Sequence, residues 1–395
     1  MTERIIGVVT GTRADYGLYR PILRRMAAAG LNAELYVCGM HLAHEFGHSI
    51  DLIERDGFKI AERIETLLAG DTPEAVASAM GLGVIGFARR LSHRAPSLLL
   101  ILGDRTEMLA AATAALPFGI PIAHIHGGEL TEGAIDDAIR HALSKMSHIH
   151  FVSTEESAAR LARMGEELAR IHVTGAPGLD NLAEVRPLGD NALADAIGMK
   201  LTPAPLLVTF HPETLEHADT AAHFAELLAV LDGIDRPIVF TYPNADTRGR
   251  TIAAAIERFV EPRPNCRAIR NLGTDLYFSL MAHAAAMVGN SSSGIIEAAS
   301  FKLPVVNIGS RQRGRMRPRN VIDAEPAQGA IRAAIGRAVD PAFRAALNGL
   351  ANPYGDGHAS ERIVAVLQSV PLDGALIRKR FYDGAQLVAG TFRHA

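Results

Sequence analysis

The chain has 395 residues, 48% of them hydrophobic, and a formal net charge of −3 at pH 7. This length exceeds the usual size of a single hydrophobic core and therefore predicts two domains. The small, evenly mixed charge argues against a general nucleic-acid binder or a polybasic membrane anchor, although a bound ligand can still be anionic.

The cysteine content and the apolar runs indicate the compartment. Cys38 and Cys266 are too few for a disulfide framework and fit a reducing cytosol. The segment from Met1 to Arg13 is one short apolar strand without a signal-peptide layout, and no apolar run approaches the ~20 residues of a transmembrane helix. We therefore expect a cytoplasmic protein that has no membrane partner.

Short apolar runs alternate with helical patterns along the chain. The predicted strands are residues 5–9, 33–37, 98–102, 120–125, 149–152, 171–173, 206–210, 238–241, 267–269, 286–288 and 305–308. The predicted helices include residues 18–29, 107–116, 134–145, 220–231 and 248–260. Alternation of this kind is typical of parallel sheets wrapped by helices, so the expected fold class is α/β.

The alternation loosens between about Ala176 and Pro205, where prolines and glycines cluster. We therefore predict a Rossmann-like N-terminal domain over residues 1–185 and a Rossmann-like C-terminal domain over residues 186–370, facing each other across a cleft. Residues 371–395 form a tail with a basic and aromatic stretch, for which the sequence indicates no role.

Open parallel sheets bind ligands just beyond the carboxyl ends of their strands, so the polar residues that follow each apolar run are candidate site residues. In the first half, the strand ends carry acids, arginines and a histidine: Arg13, Asp15, Asp104, Arg105, His126, Glu129 and Asp136. In the second half, they carry His211, Asn244 and the turn Gly289-Asn290-Ser291-Ser292-Ser293-Gly294.

This glycine- and serine-rich turn is the clearest single feature of the second half. Its glycines allow close backbone approach, its serines supply hydroxyl donors, and the helix predicted over residues 295–301 presents free N–H groups, an arrangement suited to a diphosphate. Glu297, placed in the first turn of that helix, could accept from ribose hydroxyls. The alternative is an ordinary serine N-cap. Four arginines follow the next strand and could neutralise phosphate or merely line a solvated loop: Arg311, Arg313, Arg315 and Arg317.

Asp104, Glu129 and Asp136 bring three acids to neighbouring strand ends. Clustered carboxylates raise each other's pKa and can serve as acid and base near neutrality. Arg140 stands one helical turn after Asp136, so the two could pair. Any one of these acids alone could equally be a surface ion pair or a helix cap, but their convergence on one sheet edge favours a site.

Two further motifs match known signatures without their required context. The stretch Gly81-Leu82-Gly83-Val84-Ile85-Gly86 fits the dinucleotide pattern GxGxxG, but a helix start rather than a strand precedes it. We therefore expect a glycine-rich helix that packs closely. The stretch His44-Glu45-Phe46-Gly47-His48 fits HExxH, but Gly47 weakens a helix and no third ligand is indicated, so no metal site is expected.

Several ordered motifs occur together between Thr10 and about Arg313: Arg13-Ala14-Asp15-Tyr16, Gly103-Asp104-Arg105, His124-Ile125-His126-Gly127-Gly128-Glu129, Ile139-Arg140-His141, Gly175-Ala176-Pro177-Gly178-Leu179-Asp180, and Gly289-Asn290-Ser291-Ser292 with Glu297. In this set the chain resembles the hydrolysing UDP-N-acetylglucosamine 2-epimerases of sialic acid and legionaminic acid synthesis. The resemblance implies the two-domain glycosyltransferase-B architecture, no metal or other cofactor, a UDP-sugar substrate and a homodimer or higher homo-oligomer.

The resemblance also implies a mechanism. A base removes the C2 proton, UDP leaves from C1, and water then adds to the 2-acetamidoglycal while C2 is reprotonated from the opposite face. Carried over by motif, the acid–base and leaving-group residues are Asp104, Asp136 and His211, joined by His126 or Glu129. The substrate contacts are Arg13, Arg105, Arg140, Asn244, Ser291, Ser292 and Arg311, with Glu297 at the ribose and Tyr277 at the uracil.

One residue departs from part of the family. Some members carry a glutamate at the position of His126, and that carboxylate is treated as catalytic in them. Either His126 or Glu129 takes that role here, or the substrate differs. The expected substrate is UDP-N-acetylglucosamine. The alternative is UDP-N,N′-diacetylbacillosamine, because the His-Ile-His form also resembles the branch that acts on that sugar.

Three other functions remain open at the level of sequence. A glycosyltransferase of the same architecture would use the same UDP pocket but would need fewer acids around the sugar. A non-hydrolysing 2-epimerase would return UDP to the sugar, and a nucleotide-sugar sensor would not need the carboxylates. The acid cluster favours elimination chemistry over all three.

Overall fold

The computed structural model describes residues 4–44, 47–68, 72–132, 135–212, 220–243, 249–270, 272–384 and 393–394. The chain divides into two compact units. We call Met1–Glu129, Asp136–Asp180 and Tyr354–Ala395 the N-terminal unit, and Leu130–Ile135 and Asn181–Pro353 the C-terminal unit.

The strands in chain order are β1 (Ile5–Thr10), β2 (Asn32–Cys38), β3 (Ile60–Ile64), β4 (Leu98–Leu102), β5 (Ile122–Ile125), β6 (Ile149–Val152), β7 (Ile171–Val173), β8 (Leu206–Thr209), β9 (Ile238–Thr241), β10 (Cys266–Ile269), β11 (Ala286–Gly289), β12 (Val305–Ile308), β13 (Val321–Ala324) and β14 (Arg393–His394). The helices are α1 (Arg13–Ala28), α2 (Ile50–Arg55), α3 (Pro73–His93), α4 (Thr106–Ala115), α5 (Ile135–Met146), α6 (Glu155–Arg163), α7 (Asn181–Glu184), α8 (Asp190–Ile197), α9 (Thr220–Leu231), α10 (Gly249–Val260), α11 (Gly273–His283), α12 (Ser292–Ile296), α13 (Gln328–Ala338), α14 (Pro341–Ala346), α15 (Ala359–Ser369) and α16 (Gly374–Ile377).

The N-terminal unit is built on a parallel sheet with the strand order β14-β7-β6-β5-β4-β1-β2-β3. Its central strands are buried on both faces. In β1, for example, Ile6 and Val8 belong to one apolar cluster and Val9 belongs to another, because successive side chains point to opposite sides of a strand. Helices therefore cover both faces of the sheet, as expected of a doubly wound fold.

The C-terminal unit repeats this plan with a parallel sheet in the order β10-β9-β8-β11-β12-β13. Two apolar clusters again lie on its two faces. The order reverses between β8 and β11, and ligands of open α/β sheets bind at such a switch point. No helix in the described part of the chain combines the length and the apolar character needed to cross a bilayer.

Two parallel-sheet α/β units confirm the predicted fold class. All the predicted strands occur, but β3, β13 and β14 were not anticipated. β3 and β13 are short edge strands with polar residues, such as Glu62 and Asp323, that break the apolar pattern. The helix predicted over residues 18–29 begins earlier, at Arg13, because the Thr12 hydroxyl caps it.

The structure departs from the predicted domain boundaries. Residues 354–370 were placed in the C-terminal domain, but α15 packs in the N-terminal unit, where Ile363 and Leu367 are fully buried in the same cluster as α1. The Asp180 carboxylate accepts hydrogen bonds from the backbone N–H groups of Ala359 (2.9 Å) and Ser360 (2.6 Å). Because this cap and apolar face return the chain to the first sheet, the unit boundary falls at Asp180 and again before Tyr354.

The tail contacts the N-terminal unit through a buried carboxylate. Glu166 is fully buried and lies 2.6 Å from Lys379 Nζ, 2.7 Å from Lys145 Nζ and 2.9 Å from His150 Nε2. Burial alone would raise the pKa of Glu166, but the hydrogen bonds from His150 and the two lysines lower it to about 2. The backbone N–H of Tyr382 also donates to the Gly165 carbonyl. The basic stretch therefore anchors the tail.

Candidate functional site

The carboxyl end of β1 leads into a capped helix start. The Asp15 carboxylate accepts from the Thr12 backbone N–H (3.0 Å) and the Gly11 N–H (3.3 Å), and Thr12 Oγ1 accepts from the Asp15 N–H. Burial raises the pKa of Asp15 to about 6, against the opposing effect of the positive charge of Arg105. Arg13 is exposed in the first turn of α1, at the same sheet edge.

The carboxyl end of β4 presents Asp104, which forms an ion pair with the buried Arg140 of α5. The expected pairing of Arg140 with Asp136 is wrong, because Arg140 turns to the strand end and is almost fully buried, whereas Asp136 stays half-buried in the first turn of α5. Burial, and secondly the negative charge of Asp104, raises the pKa of Asp136. The two acids therefore differ: one is ion-paired and the other is biased toward its protonated form.

Arg140 retains further donors. Its Nε and Nη1 atoms are buried and have no hydrogen-bond partner within the described residues. A buried donor without a partner is costly, so it marks a position where a ligand oxygen or water completes the site. This observation fits the predicted contact between Arg140 and substrate.

Arg105 has a buried partner that the sequence did not single out. Its Nε lies 3.5 Å from Oε2 of Glu107, and Glu107 is only 7% exposed. The carboxylate fills the space beside Gly39, where a Cβ atom would come within 2.5 Å of Glu107 Oε1. Gly39 also has a φ of 56°, a backbone conformation that favours glycine. Position 39 therefore requires glycine for two reasons: the close approach of Glu107 and the left-handed backbone.

The carboxyl ends of β5 and β6 bring three side chains into one buried network. His126 Nδ1 lies 2.7 Å from Glu129 Oε1 and 2.9 Å from Ser153 Oγ, and Ser153 Oγ donates to Glu129 Oε1 at 2.7 Å. His126 adopts a left-handed φ of 64°, and its backbone N–H donates to the Phe151 carbonyl. Such strain in a non-glycine residue is typical of functional sites.

The network determines the tautomer of His126. The serine has one hydroxyl proton, and that proton points to Glu129, so His126 Nδ1 must carry its own proton to satisfy the shared carboxylate. In the neutral ring, Nε2 then bears the lone pair and can accept a proton. Ser153 was missed, although it follows a predicted strand directly, and the strand-end rule applied to residues 149–152 would have identified it.

In the C-terminal unit, His211 is held by its backbone. Its N–H donates to Asn290 Oδ1 at 2.7 Å, and Asn290 Nδ2 donates back to the His211 carbonyl at 2.9 Å. The Asn290 carbonyl in turn accepts from Arg311 Nη1 and Gln312 Nε2. Burial, and secondly the positive charge of Arg311, lowers the pKa of His211 to about 3, so its ring is neutral near pH 7.

The turn after β11 requires its first glycine. Gly289 has a φ of 137°, and a Cβ atom there would lie 1.9 Å from the carbonyl oxygen of Thr209 on β8. Ser291 caps the following helix by accepting from the Ser293 N–H at 3.3 Å, and Ser292 begins it, half-buried. The two neighbouring strands therefore approach closely under a turn that offers hydroxyl and N–H donors.

The predicted position of Glu297 needs correction. Ser291 is the N-cap of α12, so the helix runs from Ser292 to Ile296. Glu297 therefore lies at the C-terminal end of α12 and not in its first turn. Tyr277, expected at the uracil, is half-buried and hydrogen-bonds to Ser293 and Thr209. Burial raises the pKa of its hydroxyl, which therefore stays protonated.

Of the remaining predicted residues, some have structural roles and one lies outside the residues that the structure describes. Arg315 Nε donates to the Leu130 carbonyl, and Arg317 pairs with Asp323, so these arginines stabilise loops, while Arg313 is exposed. Asn244 lies outside the described residues.

The two signature-like motifs are structural where they are described. The glycines of the GxGxxG match lie within α3, where a Cβ atom at Gly83 would come within 2.9 Å of Ala110 and one at Gly86 within 2.5 Å of Ile64. This confirms the expected close-packed helix. In the HExxH match, Glu45 lies outside the described residues, and Gly47 has a φ of 84° that does not fit an α-helix.

Solved structures share this fold. A UDP-GlcNAc 2-epimerase from Neisseria meningitidis bound to UDP-GlcNAc matches with a TM-score of 0.79 at 18% identity, covering 93% of this chain and 100% of that chain. A Listeria monocytogenes structure described as a putative UDP-N-acetylglucosamine 2-epimerase also gives a TM-score of 0.79, at 17% identity, covering 93% of this chain and 96% of the other. These likenesses confirm the glycosyltransferase-B type of fold.

Three curated relatives have a higher sequence identity to this chain than these solved structures have. A UDP-N,N′-diacetylbacillosamine 2-epimerase (hydrolyzing) from Legionella pneumophila is 38% identical over 381 residues, which cover 96% of this chain and 99% of that protein. A GDP/UDP-N,N′-diacetylbacillosamine 2-epimerase (hydrolyzing) from Campylobacter jejuni is 40% identical over 328 residues, covering 82% and 85% of the two chains. A UDP-N-acetylglucosamine 2-epimerase from Neisseria meningitidis is 32% identical, covering 80% and 82%.

The family described as UDP-N-acetylglucosamine 2-epimerase matches residues 24–368, a span that runs from the first helix of the N-terminal unit through the second unit to α15. The match includes the whole second sheet, the first sheet apart from β1 and β14, and every described strand-end residue discussed above except those at the end of β1. Because this match spans most of the chain and a relative is 38% identical along nearly its full length, the chain belongs to the UDP-N-acetylglucosamine 2-epimerase family.

Proposed function

We propose that this chain is a hydrolysing 2-epimerase that converts a UDP-linked 2-acetamido sugar to UDP and the free sugar with inverted C2. The observation that carries the proposal is the group of acids beyond the carboxyl ends of β4 and β5, with the side chains that pair with them. We call this group the acid network; it consists of Asp104, Glu129 and Asp136 with Arg140, His126 and Ser153. There Asp104 pairs with buried Arg140, and burial, together with the negative charge of Asp104, raises the pKa of the nearby Asp136. A transferase or a sensor has no need for such paired proton-transfer groups.

The reaction needs one group to remove the C2 proton and another to return a proton from the opposite face. Asp104 and Asp136 supply one acid–base pair. The His126–Glu129–Ser153 network supplies the second, because its geometry leaves His126 Nε2 as a proton acceptor. We propose that His126 acts where other family members use a carboxylate, with Glu129 stabilising the imidazolium that forms.

Departure of UDP from C1 needs donors and positive charge at the diphosphate. We assign this role to Ser291, Ser292 and Arg311 around the β11 turn, with Arg13 as a further cation. His211 is neutral and buried beside Arg311, so it serves as a hydrogen-bonding group to the leaving phosphate rather than as a cation. Glu297 is proposed for the ribose hydroxyls, and Asn244 and Tyr277 complete the nucleotide contacts.

For the substrate we propose UDP-N,N′-diacetylbacillosamine in preference to UDP-N-acetylglucosamine. The relatives that carry the first name are 38% and 40% identical to this chain, whereas the Neisseria protein that carries the second is 32% identical. The His-Ile-His form at residues 124–126 supports the same choice. The preferred sugar has an acetamido group at C4 and no hydroxyl at C6.

Proton NMR with the purified protein tests the proposal directly. Each UDP sugar is supplied separately, and free UDP and the anomeric signals of the released sugar are followed over time. We expect UDP and a manno-configured free sugar from both, with the larger kcat/KM for UDP-N,N′-diacetylbacillosamine. Faster turnover of UDP-N-acetylglucosamine would contradict the substrate assignment. Interconversion of UDP sugars without free sugar, or binding without turnover, would contradict the hydrolysing activity.

A further inference from the structure

A buried histidine in β5, which the proposed mechanism does not use, holds the turn that carries Asp104. His124 is fully buried, and its Nε2 atom lies 2.7 Å from the Gly103 carbonyl oxygen. The backbone N–H of Gly103 donates to the Ile125 carbonyl at 2.9 Å, so β5 binds both polar groups of this glycine. Gly103 has a φ of 75°, and Asp104 follows it directly. The conformation held by His124 therefore directs the position of the Asp104 carboxylate.

The other ring nitrogen of His124 reaches the helix that carries Arg140. His124 Nδ1 lies 3.3 Å from Ser144 Oγ, and this hydroxyl lies 3.0 Å from the Arg140 carbonyl oxygen, one turn earlier in α5. The contact is tightly packed, because a Cβ atom at Gly127 would come within 3.0 Å of Ser144 Oγ and 3.1 Å of His124 Nδ1. One imidazole ring thus links the two segments whose side chains form the Asp104–Arg140 ion pair.

These partners determine the position of the ring proton. A carbonyl oxygen can only accept, so His124 Nε2 carries the proton that is donated to Gly103. Burial, against the opposing effect of this hydrogen bond, lowers the pKa of His124 to about 3, so the ring is neutral near pH 7. Nδ1 then has a lone pair, which accepts from the Ser144 hydroxyl. The ring therefore holds both segments without adding a positive charge near the ion pair.

We propose that His124 is a positioning residue for the acid network: through Gly103 and Ser144 it fixes the Asp104 carboxylate relative to Arg140. Because the His124 side chain has no exposed surface, it acts through Asp104 and does not touch the substrate. The inference rests on the proposed catalytic role of Asp104. A catalytic group misplaced by about 1 Å can cost about a hundredfold in rate, so the expected effect is large.

Two amide substitutions separate the hydrogen bond from the loss of the ring. The amide of His124→Gln can place an N–H group near the position of Nε2, whereas the shorter side chain of His124→Asn cannot reach the Gly103 carbonyl. We expect kcat to fall about a hundredfold in His124→Asn with KM changed by less than about threefold, and to stay within about fivefold of wild type in His124→Gln. Equal losses in the two variants would overturn the proposal.

His150→Asn is the matched control. His150 pairs with His124 in register on the neighbouring strand and is equally buried, but its Nε2 atom bonds to Glu166. This substitution should lower the melting temperature and leave kcat within about twofold of wild type. A loss of kcat as large as that of His124→Asn would show a general effect of removing a buried ring and would overturn the proposal.

A double-mutant cycle tests whether His124 acts through Asp104. If it does, adding His124→Asn to Asp104→Asn should lower kcat by no more than about a further twofold, because no catalytic carboxylate is left to position. A further loss of about a hundredfold would overturn the inference. Undiminished turnover by Asp104→Asn alone would instead contradict the proposed function, so the two failures are distinguishable.

Nitrogen NMR of the labelled wild-type protein tests the geometry without any measure of activity or dependence on a variant's stability. With His124→Gln used to assign the signal, the His124 ring should carry its proton on Nε2 and stay neutral throughout the range near neutral pH. A proton on Nδ1, or a ring that becomes charged near neutrality, would overturn the proposal.

Discussion

The carboxyl ends of the two parallel sheets have opposite chemical characters. In the N-terminal unit, acids and their partners bind one another: Asp104 with Arg140, and Glu129 with His126 and Ser153. In the C-terminal unit, the corresponding edge carries a glycine, hydroxyls and a neutral histidine beside Arg311. The same fold thus presents groups that move protons on one sheet and groups that hold an anion on the other.

This contrast predicts that substitutions at the carboxyl edges of the two sheets affect different steps of the reaction. Changes in the N-terminal unit should slow the chemical step while leaving UDP affinity intact. Changes at the β11 turn should weaken UDP binding. A variant of either edge that reverses this pattern would break the assignment.

The largest expected effect is that of Asp104→Asn. The amide keeps the size of the side chain but cannot accept a proton and no longer balances the charge of Arg140. We expect kcat to fall by about 10³-fold or more, with the dissociation constant for UDP changed by less than about threefold in calorimetry. Asp137→Asn is the control, because it makes the same change in the first turn of α5, where the Asp137 carboxylate lies 3.4 Å from His141 Nε2.

Gly289→Ala should affect the other edge. The added Cβ atom clashes with the Thr209 carbonyl, and alanine is strained at a φ of 137°. We expect a loss of roughly 3 kcal/mol in the free energy of unfolding and a UDP dissociation constant raised by about a hundredfold. Gly329→Ala, at an exposed helical position of the same unit with open space around it, should leave both quantities nearly unchanged. Normal UDP binding by Gly289→Ala would contradict the assigned role of the turn.

A smaller effect is expected from Ser153→Ala. Without the serine, Glu129 loses a hydrogen bond of the kind worth about 1.5 kcal/mol or more to a charged group, so His126 is held less firmly. We expect kcat to fall by about tenfold with KM unchanged, and the pH profile of kcat to shift, as a purely structural serine would not cause. Ser157→Ala, a buried serine on the neighbouring helix, controls for packing loss.

The smallest effect concerns His211. Burial and Arg311 hold its pKa at about 3 in the free protein. A bound diphosphate adds negative charge beside the ring, which favours the imidazolium and should therefore raise the pKa. Nitrogen NMR of labelled protein, with His211→Gln to assign the signal, can follow the titration with and without UDP. A pKa that falls or stays fixed on binding would place the diphosphate elsewhere.

Much of the fold could be predicted because buried parallel strands are continuous apolar runs bounded by glycine and proline. The errors fell where that signal is weak. Polar residues interrupt the apolar run of edge strands such as β3, and α15 has an amphipathic pattern that does not reveal which sheet it covers. Only two tertiary contacts assign α15 to the N-terminal unit: the hydrogen bond from the Ala359 N–H to the Asp180 carboxylate and the packing of Ile363 in the apolar cluster of that unit.

The site residues at strand ends could be anticipated from position alone, but their pairings could not. Arg140 forms its ion pair with Asp104 and not with Asp136, because the orientation of α5 on the sheet determines which carboxylate lies next to the guanidinium group. Glu107 is polar, lies in a helix and gives no sequence signal of burial, yet it fills the space beside Gly39. Contacts between distant segments of this kind depend on tertiary packing.

The most direct test of the central claim, that the acid network of the N-terminal unit transfers the C2 proton, is turnover in D2O followed by proton NMR. The account predicts that the wild-type protein releases UDP and a manno-configured free sugar carrying deuterium at C2, and that Asp104→Asn binds UDP but releases neither product at a comparable rate. Free sugar that retains the original proton at C2, or undiminished turnover by Asp104→Asn, would contradict it.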